Sequence, residues 1–261
     1  MNENLASLGY RMPAEWEKQN STWLAWPHNK NDWPDKFENI PSTFAKITSA
    51  LSKVQQVDIL IQSKSVKKNI KKILIKEKTN LNKVNFHIIK TNRVWTRDTG
   101  PIFLVNDLLK KKIMTNFHFN AWAKYKDYNF DNNIKPQIAK IKNIELIDVK
   151  TKIKNKVKNV ILEGGAIDVN GKGTLIATRE CLLSKVQERN PGLNREKLEI
   201  ILSESLNIKN FIWLNKGIVG DDTHGHIDDI TRFFDDDKIF TAIFCYKLKS
   251  NYRNSKTYLN H

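Results

Sequence analysis

Cysteine is scarce. The 261 residues hold two, Cys181 and Cys245, with no close pair. That argues against a disulfide framework and suits a reducing cytosol. No apolar run approaches the roughly 20 residues of a membrane-spanning helix. The opening Met1-Asn2-Glu3-Asn4-Leu5 lacks the basic region and apolar stretch of a secretory leader. The expectation is a cytoplasmic protein with no membrane partner. Apolar residues, in contrast, are not lacking: 40% of the chain is hydrophobic, enough for a sizeable core and too much for a disordered chain. The length allows one large domain or two small ones.

Negative charge is also in short supply. Asp and Glu number 28 against 44 Lys and Arg, a formal charge of +16. Such an excess suits a nucleic-acid partner. Here the lysines are spread along the chain and are not interleaved with aromatics on an evident platform. Solvated lysine faces are therefore expected, and nucleic-acid binding is the last of the competing readings. Four of these acids are concentrated in one place. Gly220-Asp221-Asp222-Thr223-His224-Gly225-His226-Ile227-Asp228-Asp229 packs four carboxylates, two histidines and two glycines into ten residues. A histidine flanked by carboxylates can move protons near neutral pH. Carboxylates also match a guanidinium in charge and geometry. An acidic turn with a chance histidine pair is the alternative.

The rest of the chain reads as alternating strands and helices. Ser21 to Pro27 is a strand ending at a proline, and Pro41 to Val54 a helix with Phe44, Ile47 and Leu51 on one face. Val57 to Ile61 is a strand. Ser63 to Lys78 is a basic amphipathic helix with Val66, Ile70, Ile73 and Leu74 inward. Val84 to Lys90 is a strand. Trp95-Thr96-Arg97-Asp98-Thr99-Gly100-Pro101 is a polar break before a hairpin of Ile102–Val105 with Lys111–Phe117. A helix around Ile134 to Ile141 leads to a strand at Ile144–Val149, and Lys150 to Lys158 reads as an exposed connector. Val160-Ile161-Leu162 runs into Glu163-Gly164-Gly165. Asn170-Gly171 signals a hairpin turn between Ala166–Val169 and Thr174–Thr178. A helix at Arg195–Leu206, a strand at Phe211–Leu214 and strands after the acidic motif complete an α/β pattern, with a glycine-marked polar motif at each of several strand ends.

Asp98, Glu163, His226 and Asp228, with Trp95 and Trp122, form the candidate site. Each alone has a bland explanation: a turn acid paired with Arg97, a hairpin acid, core tryptophans. Together they describe a pocket for a small organic cation, with carboxylates pairing its charge, tryptophan faces stacking on it and His226 as acid and base. Attack on a guanidinium carbon would need a nucleophile, for which a cysteine thiolate is apt. A metal-dependent hydrolase is a competing reading, since His224-x-His226-x-Asp228 would point three ligand-type side chains one way on a strand.

These motifs resemble the agmatine deiminase family, which includes the Porphyromonas type of peptidylarginine deiminase, in the pentein superfamily. Met12-Pro13-Ala14-Glu15-Trp16 through Trp23-Leu24-Ala25-Trp26-Pro27 is similar to the family opening. Trp95 to Pro101, Leu162-Glu163-Gly164-Gly165, Cys181-Leu182-Leu183, Arg189-Asn190-Pro191, Trp213-Leu214 and Gly220 to Phe233 also match. Phe119-Asn120-Ala121-Trp122 resembles the family's FNAWG, with Ala123 in place of the glycine. The resemblance implies a pentein-type α/β propeller of ββαβ modules around a central site. It also implies hydrolysis of a guanidino group to a ureido group and ammonia, as in agmatine to N-carbamoylputrescine on the route to putrescine and the polyamines. No metal and no organic cofactor is implied. By carry-over, Asp98 and Asp228 clamp the guanidinium, and His226 protonates ammonia and then activates water. Glu163 orients His226 or shares in the clamp, and Trp95 lines the pocket. Free arginine and peptidyl arginine are alternative substrates, and a non-catalytic guanidinium binder is an alternative role.

One departure stands out. The family's nucleophilic cysteine lies in a glycine-rich strand of the last module, whereas this sequence ends at Tyr258-Leu259-Asn260-His261. Cys245, in apolar Phe244-Cys245-Tyr246, and Cys181 read as buried structural thiols. The expectation is a single domain over residues 1–261 with about four of the five modules, lacking the C-terminal one and its nucleophile. A homodimer or a complementing C-terminal fragment is the expected macromolecular partner.

Overall fold

The computed structural model describes residues 4–242. Strand β1 (Ser21–Ala25), helix α1 (Ile40–Leu51), strand β2 (Gln56–Ile61), helix α2 (Lys67–Lys76) and strand β3 (Val84–Ile88) follow in order. The three strands form a parallel sheet in the order β1-β2-β3. β2 is central, and its Val57 to Ile61 are all buried, as a parallel strand covered on both faces requires. Pro41 sits in the first turn of α1, where a missing N–H costs nothing. Ile70 and Leu74, one turn apart, anchor α2. Lys68, Lys71 and Lys72 line its exposed side, so this basic face is solvated. Val66, expected to point inward, precedes the helix and is 38% exposed.

A short helix α3 (Thr96–Thr99) stands where a polar break was expected. Strands β4 (Ile102–Asn106) and β5 (Lys111–Asn116) form the antiparallel hairpin. Helices α4 (Asn129–Asn132) and α5 (Ile134–Lys142) then return the chain to β6 (Leu146–Asp148), which pairs parallel with β5. Residues 150–159, expected as a loop, are instead a hairpin of β7 (Lys150–Ile153) and β8 (Lys156–Asn159). Lys154 and Asn155 make its turn with φ of 48° and 61°, the left-handed pair that suits strand twist.

Strands β9 (Ile167–Val169) and β10 (Thr174–Thr178) pair antiparallel. Helices α6 (Arg179–Leu183) and α7 (Arg195–Leu206) lead to β11 (Asn210–Leu214), parallel to β10. Asn170 closes the β9–β10 turn by accepting from the amides of Lys172 and Thr174 at 2.9 and 3.0 Å. A hairpin of β12 (Thr231–Asp235) and β13 (Lys238–Thr241) ends the described residues. The unit of antiparallel pair, helix and parallel return strand thus occurs twice, at β4–β6 and at β9–β11. The largest apolar cluster joins β4, β9, β10 and α7 through residues such as Leu104, Ile167, Leu175 and Leu202. Among the described residues no sheet closes on itself, and no helix is long and apolar enough to cross a membrane.

Candidate active site

Segments that are far apart in sequence meet beside β9. The first carries Asp98. Helix α3 turns tightly, with the amides of Asp98 and Thr99 donating to the Trp95 carbonyl at 3.1 and 3.0 Å. This turns the Asp98 carboxylate inward, where it is 5% exposed. Its Oδ2 accepts from the Trp122 indole at 3.0 Å and its Oδ1 from the Gly165 amide at 3.1 Å. Burial pushes the Asp98 carboxyl up to about 6, against the pull of neighbouring His226.

The second segment is Glu163-Gly164-Gly165, where the chain enters β9. A Cβ at Gly165 would lie 2.5 Å from His226 Nδ1 and 2.8 Å from Asp98 Oδ1. A Cβ at Gly164 would lie 2.3 Å from the Arg97 carbonyl oxygen. Neither position tolerates a side chain, and this is what the glycine pair does. Glu163 is 0% exposed. Its Oε1 accepts from Arg189 Nε at 3.0 Å, while its Oε2 has no protein partner. Arg189, also buried, donates to the carbonyls of Gln187 and Thr223. It therefore ties Glu163 to the acidic loop.

That loop is the third segment. Asp221 folds it: its carboxylate accepts from the amides of Thr223, Gly225 and His226 at 2.9, 2.8 and 3.1 Å. Burial alone would raise the Asp221 carboxyl, but the Thr223 hydroxyl, which also donates to it, and these amides hold it below its ordinary value. Gly225, at φ 94°, reverses the backbone against Glu180. His226 is thereby turned inward, 3% exposed, with Nδ1 3.8 Å from both Asp98 Oδ1 and Asp228 Oδ1. Its Nε2 has no protein partner. Asp228 lies nearer solvent, its side chain 19% exposed, 3.7 Å from Arg97 Nε. Arg97 also pairs with Glu15.

The fourth segment, Phe119 to Tyr125, closes one side. Trp122 is 4% exposed and meets Asp98 by its N–H edge. It stands in the left-handed region between Ala121 and Ala123, at φ 57°, 51° and 53°. Lys124 and the Tyr125 hydroxyl both bond Asp222, so this segment is latched to the acidic loop. Trp95 remains 43% exposed and packs on Trp33, ring centroids 5.9 Å apart.

Asp98, Glu163, His226 and Asp228 are therefore brought together, with Trp122 behind Asp98 and Trp95 at the rim. His224 is not part of the group: residues 215–230 form turns and not a strand. Its ring turns toward the Ser184 hydroxyl, 3.4 Å away. The His224-x-His226-x-Asp228 alignment on one strand face does not exist.

Three contributors had no role assigned from sequence. Arg189 was visible only as part of Arg189-Asn190-Pro191. Lys135 is 1% exposed on α5 with an unpartnered ammonium. Burial pushes it down to about 8, against the pull of Glu163 and Asp98, and nothing sets it apart from the many surface lysines. Cys181 is buried, as expected, but it also lies beside Glu163 and His226. Burial pushes its thiol well up, so it is no ready nucleophile. Cys245 lies outside the described residues. A cleft of about 560 Å³ lined by His118, Phe119, Tyr128, Asn132 and Lys158, among others, includes none of the four clustered residues.

Comparison with known proteins shows the family. The chain is 28% identical over 249 residues to an agmatine deiminase of Pseudomonas syringae pv. tomato, covering 93% of this chain and 62% of that protein. An agmatine deiminase of Ectopseudomonas mendocina is 30% identical over 229 residues, covering 85% and 57%. Among solved structures, the agmatine deiminase of Enterococcus faecalis superposes with a TM-score of 0.78 at 28% identity, over 92% of this chain and 62% of that one. A Cys-to-Ser agmatine deiminase of C. jejuni with substrate bound superposes with a TM-score of 0.73 at 30% identity, over 89% and 64%. The chain thus spans about three-fifths of the length of the curated relatives it matches. The family model for Porphyromonas-type peptidyl-arginine deiminases matches residues 11–261, and it is to this family that the chain, with its Asp–His–Asp cluster, belongs.

Proposed function

We propose that the chain carries the guanidinium-recognition and acid–base half of an agmatine deiminase-type hydrolase. The observation that supports it most is His226 Nδ1 held 3.8 Å from carboxylate oxygens of both Asp98 and Asp228. A planar cation placed beside this pair meets one negative group on each side and an imidazole between them. Guanidinium fits that arrangement in charge and in its fork of N–H donors.

In the proposed reaction, a cysteine thiolate from outside the described residues attacks the guanidinium carbon. The C–N bond then breaks, and His226 gives its proton to the departing ammonia. Neutral His226 next takes a proton from water, whose oxygen forms the new C–O bond, and the thiolate leaves with the C–S pair. Asp98 and Asp228 neutralise the substrate throughout. Glu163, fixed by Arg189, sets the ring position of His226, and Trp122 acts through Asp98. Trp95 forms the accessible wall. For agmatine the products are N-carbamoylputrescine and ammonia, which would place the reaction before putrescine.

The architecture proposed for this chemistry is part of a five-module pentein propeller. The repeated unit of antiparallel pair, helix and return strand supports it, with residues 1–261 as one domain. A homodimer or a complementing fragment would supply what the four segments leave open. The scarcity of cysteine supports a cytoplasmic setting. A second reading, a non-catalytic guanidinium binder, is favoured by the buried, high-pKa state of Cys181, the one cysteine among the described residues. Arginine or peptidyl arginine remains the alternative substrate.

Ammonia release separates these readings. With agmatine, the chain supplied with a C-terminal module in cis or trans should release ammonia, and His226→Gln should reduce the rate by at least about 100-fold. A well-folded combination that binds agmatine without turnover would favour the binder.

A further inference from the structure

We propose that Glu163, Cys181 and His226 form a binding site for a thiophilic divalent cation, with zinc as the best-suited ion. One donor atom from each lies within 4.8 Å of the donors of the other two. All three residues are buried, at 0%, 1% and 3% exposure. Glu163 Oε2 and His226 Nε2 have no protein partner. Unpartnered polar atoms at such depth are costly, and here they belong to two residues whose donors gather round a thiol.

The donor set is a carboxylate oxygen, an imidazole nitrogen and a sulfur. That combination suits zinc or cobalt better than magnesium or calcium, which want oxygen alone. Tetrahedral zinc with ordinary bond lengths holds such donors about 3.5 Å apart, inside the 4.8 Å within which these three lie.

The surroundings resemble a metal's outer shell. The other ring nitrogen of His226 faces the carboxylates of Asp98 and Asp228 at 3.8 Å. The other oxygen of Glu163 is held by Arg189 at 3.0 Å. The Arg189 bond fixes the orientation of Glu163 as an outer partner does. Binding releases the Cys181 proton to solvent, leaving a metal-bound thiolate.

The site stands independently of the hydrolase reading, but it has a consequence for that reading. A cation on Nε2 takes the lone pair that His226 would need as base. The metal-bound chain is then a closed state, released by chelation.

The test uses the full chain, stripped of metal, reduced and titrated with Co²⁺. The proposal predicts one bound equivalent, a near-ultraviolet thiolate-to-cobalt band and the strong visible bands of four-coordinate cobalt, all displaced by Zn²⁺. Cys181→Ser should abolish the thiolate band and weaken Co²⁺ binding at least tenfold, while Cys245→Ser should leave both unchanged. Circular dichroism verifies the fold of each variant. Should Cys181→Ser fail to fold, His226→Gln takes its place, with the same tenfold loss expected. No binding by the folded chain, binding without a thiolate band, a band that depends on Cys245, or unchanged affinity in the variant used would overturn the proposal. The readout needs no substrate, so its failure leaves the hydrolase reading standing.

Discussion

At the scale of single residues, the site is made of groups held against their own preferences. Asp98 is the clearest. Its carboxyl stands at about 6 in the fold against an ordinary 3.8. The folded state therefore binds the extra proton between these values, and stability falls as pH rises from about 4 to 6. Two pH units of displacement correspond to about 3 kcal/mol. Chemical denaturation of the chain and of Asp98→Asn across this range should show the native protein losing stability relative to the variant by that order. Parallel curves would contradict the assignment. Gly165 sets a second test. An added methyl would overlap both His226 and Asp98, so Gly165→Ala should cost about 1–3 kcal/mol in stability. It should also abolish agmatine binding, as read by calorimetry on protein verified as folded.

Residue types at this scale were legible where their chemistry is rare. Four carboxylates around two histidines, and a glycine pair after a glutamate, stand out in a lysine-rich chain. Arg189, Lys135 and the placement of Cys181 did not stand out. Their importance comes from burial beside the acids, and burial is a property of the fold rather than of local spacing.

At the scale of elements, the segment Phe119–Tyr125 carries local strain. Ala121, Trp122 and Ala123 all have positive φ, between 51° and 57°. A non-glycine residue there costs about 1–2 kcal/mol. Asn120 offsets part of this by capping the Ala123 amide at 2.9 Å. Ala123→Gly should raise stability by about 1 kcal/mol, measurable by thermal or urea unfolding. A decrease would mean that the Ala123 methyl makes a contact worth more than the strain. The strain places the Trp122 N–H on Asp98, so indole geometry and carboxylate position are linked.

Elements with strong periodicity were readable: the buried run Val57–Ile61, the Ile70/Leu74 pair of α2, the paired strands around Asn170. Lys150–Asn159 was not. Its charged residues read as a solvated loop, yet solvent-facing strands tolerate lysine, and Lys154-Asn155 could take the left-handed turn. Helix α3 was missed because four residues show no helical period.

At the scale of the whole molecule, the fold works by convergence. Helix α3 before β4, the segment after β5, the entry to β9 and the acidic loop before β12 are far apart in sequence, and each contributes one or two groups. Such a site is visible in sequence only as scattered polar motifs at strand ends, and the resemblance to a known family is what first tied them together.

Calorimetry of agmatine binding, comparing the intact chain with Asp228→Asn, tests the central claim most directly. The account predicts saturable binding by the intact chain, weakened at least about tenfold by a substitution that removes one charge-assisted contact. Equal binding by both proteins, or none by an intact chain shown to be folded, would contradict the claim that Asp98, His226 and Asp228 form a guanidinium site.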